Sequence, residues 1–243
     1  MTERVNGEEP AKQSSTQVVI ATQDQEMSAE MDIFLRNYGF QTETVSGLNE
    51  VGNVQRRRVL ILDEDLLNRN LTLLKDLSDS VNIPVVVLGK HAENSSRHSA
   101  ILLAGADYYF DKTRSPELIA ACIKAIERRL LTEVPQLPYY KVGDVEINVA
   151  KDKFLKKGEP VRLTLTEKSV ITYLLNDSPR YHPATEILSA VWGPDFCEET
   201  DYVRVYARRV RTKLGHDFLE SKWRAGYRVK QGGITTDPNL PQS

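Results

Sequence analysis

The chain has 243 residues, enough for two domains of roughly 100–130 residues plus tails. Charged residues make up 27% and the AVILMFWYC set 40%, so the chain can bury real cores and is not a disordered polymer. The net charge of −2 is unevenly spread, with 15 Lys+Arg against 20 Asp+Glu over residues 1–138 and 17 against 13 over residues 139–230.

Residues 1–16 are polar, with Gly, Pro and Ser, and read as a flexible tail. They hold no apolar block, so a secretory signal is not expected. Val18–Ala21 reads as a short buried strand. Ser28–Tyr38 has Met31, Phe34, Leu35 and Tyr38 on one helical face, with Gly39 at the C-cap position. Val59–Leu62 and Pro84–Leu88 are further apolar strands, with a helix over Leu66–Leu77 between them. Arg97–Ala104 is helical and stops at Gly105, and Tyr108–Phe110 is a short strand. Ser115-Pro116-Glu117 opens a helix that runs to about Leu131. Apolar strands alternating with helices predict a doubly wound α/β domain over 17–131, its parallel sheet covered on both faces.

Thr132–Pro138 holds two prolines and reads as a linker. Beyond it the pattern changes to α+β. Val142–Phe154 and Pro160–Leu165 read as strands, with a turn at Lys156–Glu159. Thr166 caps a helix to about Asn176, Pro183 opens a second that ends at Trp192, and Thr200 caps a third that runs to Leu214. Trp223–Val229 is β-rich with a turn at Gly226, and 231–243 reads as a second flexible tail.

No apolar run approaches the roughly 20 residues of a membrane span. Cys122 and Cys197 have no CxxC or His/Cys spacing, so neither structural zinc nor a disulfide framework is expected, and a reducing cytoplasm is. Cys122 on an apolar helix face reads as a small buried hydrophobe rather than a redox group. No Gly-rich phosphate loop, nucleophile–base pair or metal cluster is present, so neither an enzyme nor a cofactor site is expected.

The third C-terminal helix carries the chemistry. Val203, Ala207, Val210 and Leu214 form its buried stripe. Arg204, Arg208 and Arg211 flank the stripe on one side, and Tyr202, Tyr206, Arg209 and Lys213 on the other. The stretch 204–230 holds nine basic residues against Asp217 and Glu220, a local polyanion signal. A solvated surface face is the alternative. Arginine dominates the helix, and its planar fork suits guanine edges and phosphates. A helix 10–12 Å across fits a major groove about 12 Å wide.

LTLTEKSVITYLL, PATEILSAVWG, TDYVRVYARRVRTKLG and WRAGYRV together resemble the winged helix-turn-helix domain of OmpR/PhoB-type response regulators over 139–230. The resemblance implies a recognition helix at Thr200–Leu214 and a wing around Gly226, bound to double-stranded DNA at tandem half-sites. It implies DNA contacts at Tyr206, Arg208, Arg209 and Arg211, and at Ser221, Trp223 and Tyr227 of the wing. Arg204 replaces a usual acid and Tyr206 a usual histidine, and Trp223-Arg224 displaces the wing arginine by one position. The loop Gly193–Glu199 matches a segment that in this family can touch RNA polymerase; its acids would equally keep a loop solvated.

Residues 17–131 resemble a CheY-like receiver. VLILD places Asp63 where that family has its phosphoryl acceptor, and GADYYFDK places Lys112 and the aromatic switch Tyr109. The family's acidic pair falls on Thr22 and Gln23, its hydroxyl residue on Gly89, and the loop after Asp63 lacks the usual Pro-Gly turn. Mg²⁺ needs carboxylates near the acceptor. Asp63 and Lys112 therefore read as a vestigial ion pair, and the expected function is a transcription regulator independent of phosphorylation. The alternatives are a conventional regulator phosphorylated on Asp63 and a small-molecule sensor. The family's dimer face falls on His98, Leu103, Tyr108, Leu118 and Cys122, an apolar stripe that predicts a constitutive homodimer.

Overall fold

Burial on both faces explains why three strands are near-continuous apolar runs: β1 (Gln17–Ala21), β3 (Arg58–Asp63) and β4 (Val85–Gly89). In the computed structural model, which describes residues 16–51, 58–80, 83–90, 95–131, 139–194, 201–231 and 233–234, they are the centre of a parallel sheet. With β2 (Gln41–Val45) and β5 (Tyr108–Asp111) the order is β2-β1-β3-β4-β5. The flanking helices are α1 (Gln25–Asn37), α2 (Leu71–Ser80), α3 (Ser95–Leu103) and α4 (Pro116–Leu131). The doubly wound receiver architecture expected from the sequence is the one observed.

Two differences are local. β2 escapes a sequence reading because it is an edge strand of mostly exposed polar residues, QTETV. α1 starts earlier than its apolar face implies, because the Asp24 carboxylate accepts a hydrogen bond from the Met27 amide at 3.0 Å and caps the helix.

The C-terminal domain opens with the antiparallel strands β6 (Tyr140–Val142), β7 (Val145–Asn148), β8 (Lys153–Lys156) and β9 (Glu159–Pro160). The expected single strand 142–154 is broken twice, at Gly143 and at Asp152, both with positive φ. α5 (Leu165–Asn176), α6 (Ala184–Val191) and α7 (Asp201–Leu214) follow, then a hairpin of β10 (Leu219–Lys222) and β11 (Gly226–Val229). α5 is capped by Thr164 rather than Thr166: Thr164 and Glu167 form a reciprocal capping box. Past residue 230, β12 (Gly233–Ile234) pairs with β6, so the sheet reaches into the segment read as a tail.

The hairpin is clamped to the start of α6. His182 and Tyr227 exchange backbone hydrogen bonds of 2.8 and 2.9 Å. Gly226 has φ +104°, and a Cβ there would stand 1.9 Å from the His182 carbonyl oxygen. Gly226→Ala is therefore expected to lower the stability of this domain by more than about 1 kcal/mol, read as an earlier urea midpoint by tryptophan fluorescence.

Candidate nucleic-acid interface

α7 is basic on every side but one, and its flanks meet different surroundings. Arg204 and Arg208 are exposed, Arg204 in an i,i+3 ion pair with Asp201 at 2.9 Å. Tyr202, Tyr206 and Arg209 are buried, because α7 packs on the receiver helix α3 and the open edge of β5. The Tyr202 hydroxyl accepts from the Tyr109 amide at 3.3 Å and donates to the Tyr109 carbonyl at 3.4 Å. The Tyr206 hydroxyl donates to the Ala106 carbonyl at 3.0 Å.

Arg209 makes the most contacts of the three. Its Nε donates to Glu167 at 2.8 Å, and Nη1 donates to the carbonyls of Leu102 and Ala106, each at 3.1 Å. It thus bonds carbonyls at and just beyond the end of α3, of which that of Leu102 also accepts from the Gly105 amide at 3.1 Å. Its guanidinium also lies 4.6 Å from the centroid of the Tyr206 ring. Burial works against the Arg209 charge, yet Tyr206, Glu167 and Asp107 together raise its pKa. Burial pushes the Asp107 carboxyl up, with Arg209 opposing.

Of the α7 residues expected to meet duplex, only Arg204 and Arg208 are exposed in this structure. In this arrangement Tyr202, Tyr206 and Arg209 touch the receiver, and the physical reason is that a tyrosine–arginine flank suits a protein surface rich in free carbonyls as well as it suits DNA. Two further residues serve the domain itself. Arg211 donates to the Leu219 carbonyl at 3.2 and 3.0 Å, tying α7 to the wing, and Lys213 pairs with Glu167 at 2.7 Å. Glu167 therefore caps α5 and holds two cations of α7. TLTE signals the cap from sequence; nothing in the pattern signals the second task.

At the wing, Ser221, Trp223 and Arg224 are exposed, with Trp223 at 86%. Arg224 has φ +59° at the tight turn, and Tyr227 is half-buried against the His182 backbone. The loop Gly193–Glu199, Thr200 and Cys197 fall on or beside residues 195–200, outside the described residues.

The receiver pocket is arranged around an occupied carboxylate. One oxygen of Asp63 accepts from the Thr22 hydroxyl at 2.7 Å. The other accepts from Lys112 at 2.7 Å and from the Asp65 amide at 2.9 Å, so Asp63 caps the short 3-10 turn Glu64–Leu67. Burial lowers the Lys112 pKa, but the hydrogen bonds to Asp63 and Asp65 outweigh it and raise the pKa overall. A divalent cation does not fit this donor set. Thr22 stands where a carboxylate is required, Gln23 points to solvent, and the Asp24 carboxylate is engaged as the α1 cap.

The expected dimer face is also covered. Tyr108 is fully buried, its hydroxyl 3.5 Å from the Trp192 carbonyl and accepting from Arg129 at 3.3 Å. The His98 ring meets Tyr202 edge-on at 5.0 Å. Leu103 and Leu118 are partly buried, and Cys122 is fully buried. In this structure the Tyr108 and His98 end of the face expected to form a homodimer is therefore in contact with the chain's own C-terminal domain, through Trp192 and Tyr202. Burial raises the Cys122 thiol well above its usual pKa, which makes it a poor nucleophile.

A parallel α/β receiver joined to a winged helix with an arginine-rich helix defines a DNA-binding transcription regulator. Residues 158–229 match the family model described as "Transcriptional regulatory protein, C terminal". The KDP operon transcriptional regulatory protein KdpE of Escherichia coli (strain K12) is 33% identical over 181 residues, covering 73% of this chain and 79% of the relative. The transcriptional regulatory protein KdpE of Mycobacterium tuberculosis (strain CDC 1551 / Oshkosh) is 29% identical over 207 residues, covering 83% and 91%. A cysteine-to-serine mutant of RitR superposes with a TM-score of 0.71 at 17% identity, over 90% of this chain and 100% of that one, a likeness of fold. The chain belongs to the OmpR/PhoB family of response regulators, the DNA-binding output components of two-component systems. No helix among the described residues is long and apolar enough to cross a membrane.

Burial holds the His98 imidazole below its ordinary value of 6.5, with Asp201 pulling the other way. Tyr109 and Tyr202 are its ring neighbours. A histidine whose pKa is depressed in the docked state disfavours that state as pH falls through the ordinary histidine range. Acidification from about pH 7.5 to about pH 5.5 is therefore expected to part the domains, followed by energy transfer between dyes on α1 and β8. His98→Gln should flatten the response.

Proposed function

We propose that the chain is a sequence-specific DNA-binding regulator that acts without phosphoryl transfer, and that its own receiver keeps the recognition helix from DNA until the two domains part. The burial of Tyr202, Tyr206 and Arg209 against α3 and β5 carries this reading. A duplex must win those side chains from the receiver. Once free, Tyr202, Arg204, Tyr206, Arg208, Arg209 and Lys213 enter the major groove. Ser221, Trp223, Arg224 and Tyr227 approach the neighbouring minor groove, and Arg211 keeps helix and wing in register. Arginines on phosphate supply affinity and those on base edges supply selectivity.

Independence from phosphorylation is supported by Asp63, both of whose oxygens already have partners, by Thr22 in place of an acid, and by the neighbouring carboxylates of Asp65 and Glu64 being paired with Lys112 and Arg97. The receiver face of His98, Leu103, Tyr108, Leu118 and Cys122 then has two possible occupants, α7 of the same chain or the same face of a second copy. It cannot hold both at once. Opening the closed form frees the face for pairing, and a pair of chains suits tandem half-sites about one helical turn apart. The acidic loop at 193–199 is the proposed contact for RNA polymerase, and a protein that reads DNA in this way works in the cytoplasm.

Incubation with acetyl phosphate and Mg²⁺ is expected to give no phosphoryl adduct by mass spectrometry and no change in operator affinity; a stable adduct that tightens binding would restore the conventional reading. His98→Glu sets a carboxylate against Asp201 and is expected to part the domains, tightening DNA binding by roughly 5–150-fold, the ordinary range of coupling between sites. In that opened background, Arg208→Ala should weaken binding and reduce the salt slope by about one. Arg208 is a cleaner probe than Arg209, whose loss also removes the bonds to Leu102, Ala106 and Glu167.

A further inference from the structure

The end of β4 holds a second departure whose meaning emerges only with the neighbouring side chains in view. A Cβ on Gly89 would stand 1.9 Å from Glu64 Oε2 and 2.5 Å from the Tyr109 hydroxyl. The space that any side chain at position 89 would claim is filled by the carboxylate of Glu64. That carboxylate accepts from the Tyr109 hydroxyl at 2.5 Å and from Arg97 Nε at 2.6 Å. The Glu64 side chain is only 12% exposed.

Its placement is built into the backbone. Asp63 caps the turn Glu64–Leu67, and Asn68 and Arg69 both adopt left-handed φ, at 46° and 63°. This curls the loop back over the sheet end and points Glu64 at β5. Both of its partners lead to the docked helix. Tyr109 gives its backbone amide and carbonyl to the Tyr202 hydroxyl. Arg97 precedes His98, whose ring lies between Tyr109, at 5.7 Å, and Tyr202, at 5.0 Å.

We propose that Glu64 is a resident anion that fixes Tyr109 and α3 in the geometry that docks α7. Gly89 is its necessary companion. The closed state is thereby set by the sequence itself, and the controlling charge is neutralised by Arg97 rather than by a metal ion. This inference rests on the reading that docking opposes DNA binding.

The test compares full-length Glu64→Ala, Glu64→Gln, Gly89→Ser and Tyr109→Phe, with His98→Glu as the reference for an opened chain. Operator affinity and the distance between dyes on the two domains are measured for each. Glu64→Ala and Gly89→Ser are expected to part the domains and tighten DNA binding at least about fivefold, with Glu64→Gln intermediate because it keeps an acceptor for Tyr109 but loses the Arg97 ion pair. Glu64→Ala and Tyr109→Phe together should change binding by less than the sum of the two single effects, since both remove the same bond. Tyr109→Phe deletes one hydroxyl and keeps the ring, so it serves if the Glu64 variants fail to fold. If His98→Glu tightens binding and neither the Glu64 variants nor Tyr109→Phe does, the role of Glu64 is overturned while the docking reading stands. If every variant opens and none changes operator affinity, the docking reading itself fails.

Discussion

A guanidinium placed among backbone carbonyls holds this molecule in its closed form. Arg209 leaves the recognition helix, reaches the end of a receiver helix and donates to Leu102 and Ala106 while paired with Glu167. Without Arg209 those two carbonyls lose a charged donor, and Glu167 keeps Lys213 as its remaining cation. One side chain thus takes part both in domain docking and in the internal order of the winged helix. The tyrosines at 202 and 206 extend the same principle, each supplying a hydroxyl to receiver backbone that would otherwise lie at an open strand edge or helix end.

On the proposed function, control lies in an equilibrium between packed and parted domains rather than in a covalent event. The apparent affinity for DNA is the intrinsic affinity scaled by the open fraction. A closed form favoured about a hundredfold weakens binding by about a hundredfold, or roughly 2.7 kcal/mol. Any agent that binds the open form better, whether DNA or a second chain, shifts the balance by its differential affinity alone. Lys112, Thr22 and the Asp65 amide then serve structure: they hold Asp63 as a cap, and the cap aims the loop.

The architecture was largely legible in the residues. Apolar runs at Val18–Ala21, Val59–Leu62 and Pro84–Leu88 mark the sheet, and WRAGYRV with Gly226 marks the wing. The polar edge strand Gln41–Val45 was not, since exposed residues carry no period that separates strand from loop. The arginine-rich helix was legible, but not which of its flanks is buried against the receiver. Helical periodicity separates a buried stripe from its flanks; it cannot tell whether a flank meets solvent, duplex or another domain. Tyr202 and Tyr206 are the residues at which a second burial shows, aromatic where a purely DNA-facing flank has no need to be. The paired exchange of a large acid at Glu64 for a bare Gly89 is visible only once the two positions are known to be neighbours.

Arg209 and Tyr206 also have a consequence for how such a regulator diverges. A substitution there that retunes which bases are preferred must also pass the fit against Ala106, Asp107 and the end of α3. On the proposed function, operator choice and resting activity are written in the same letters. A lineage acquiring new target genes through these positions would inherit an altered basal output with them, whereas drift at the uncommitted Arg208 leaves the resting state alone.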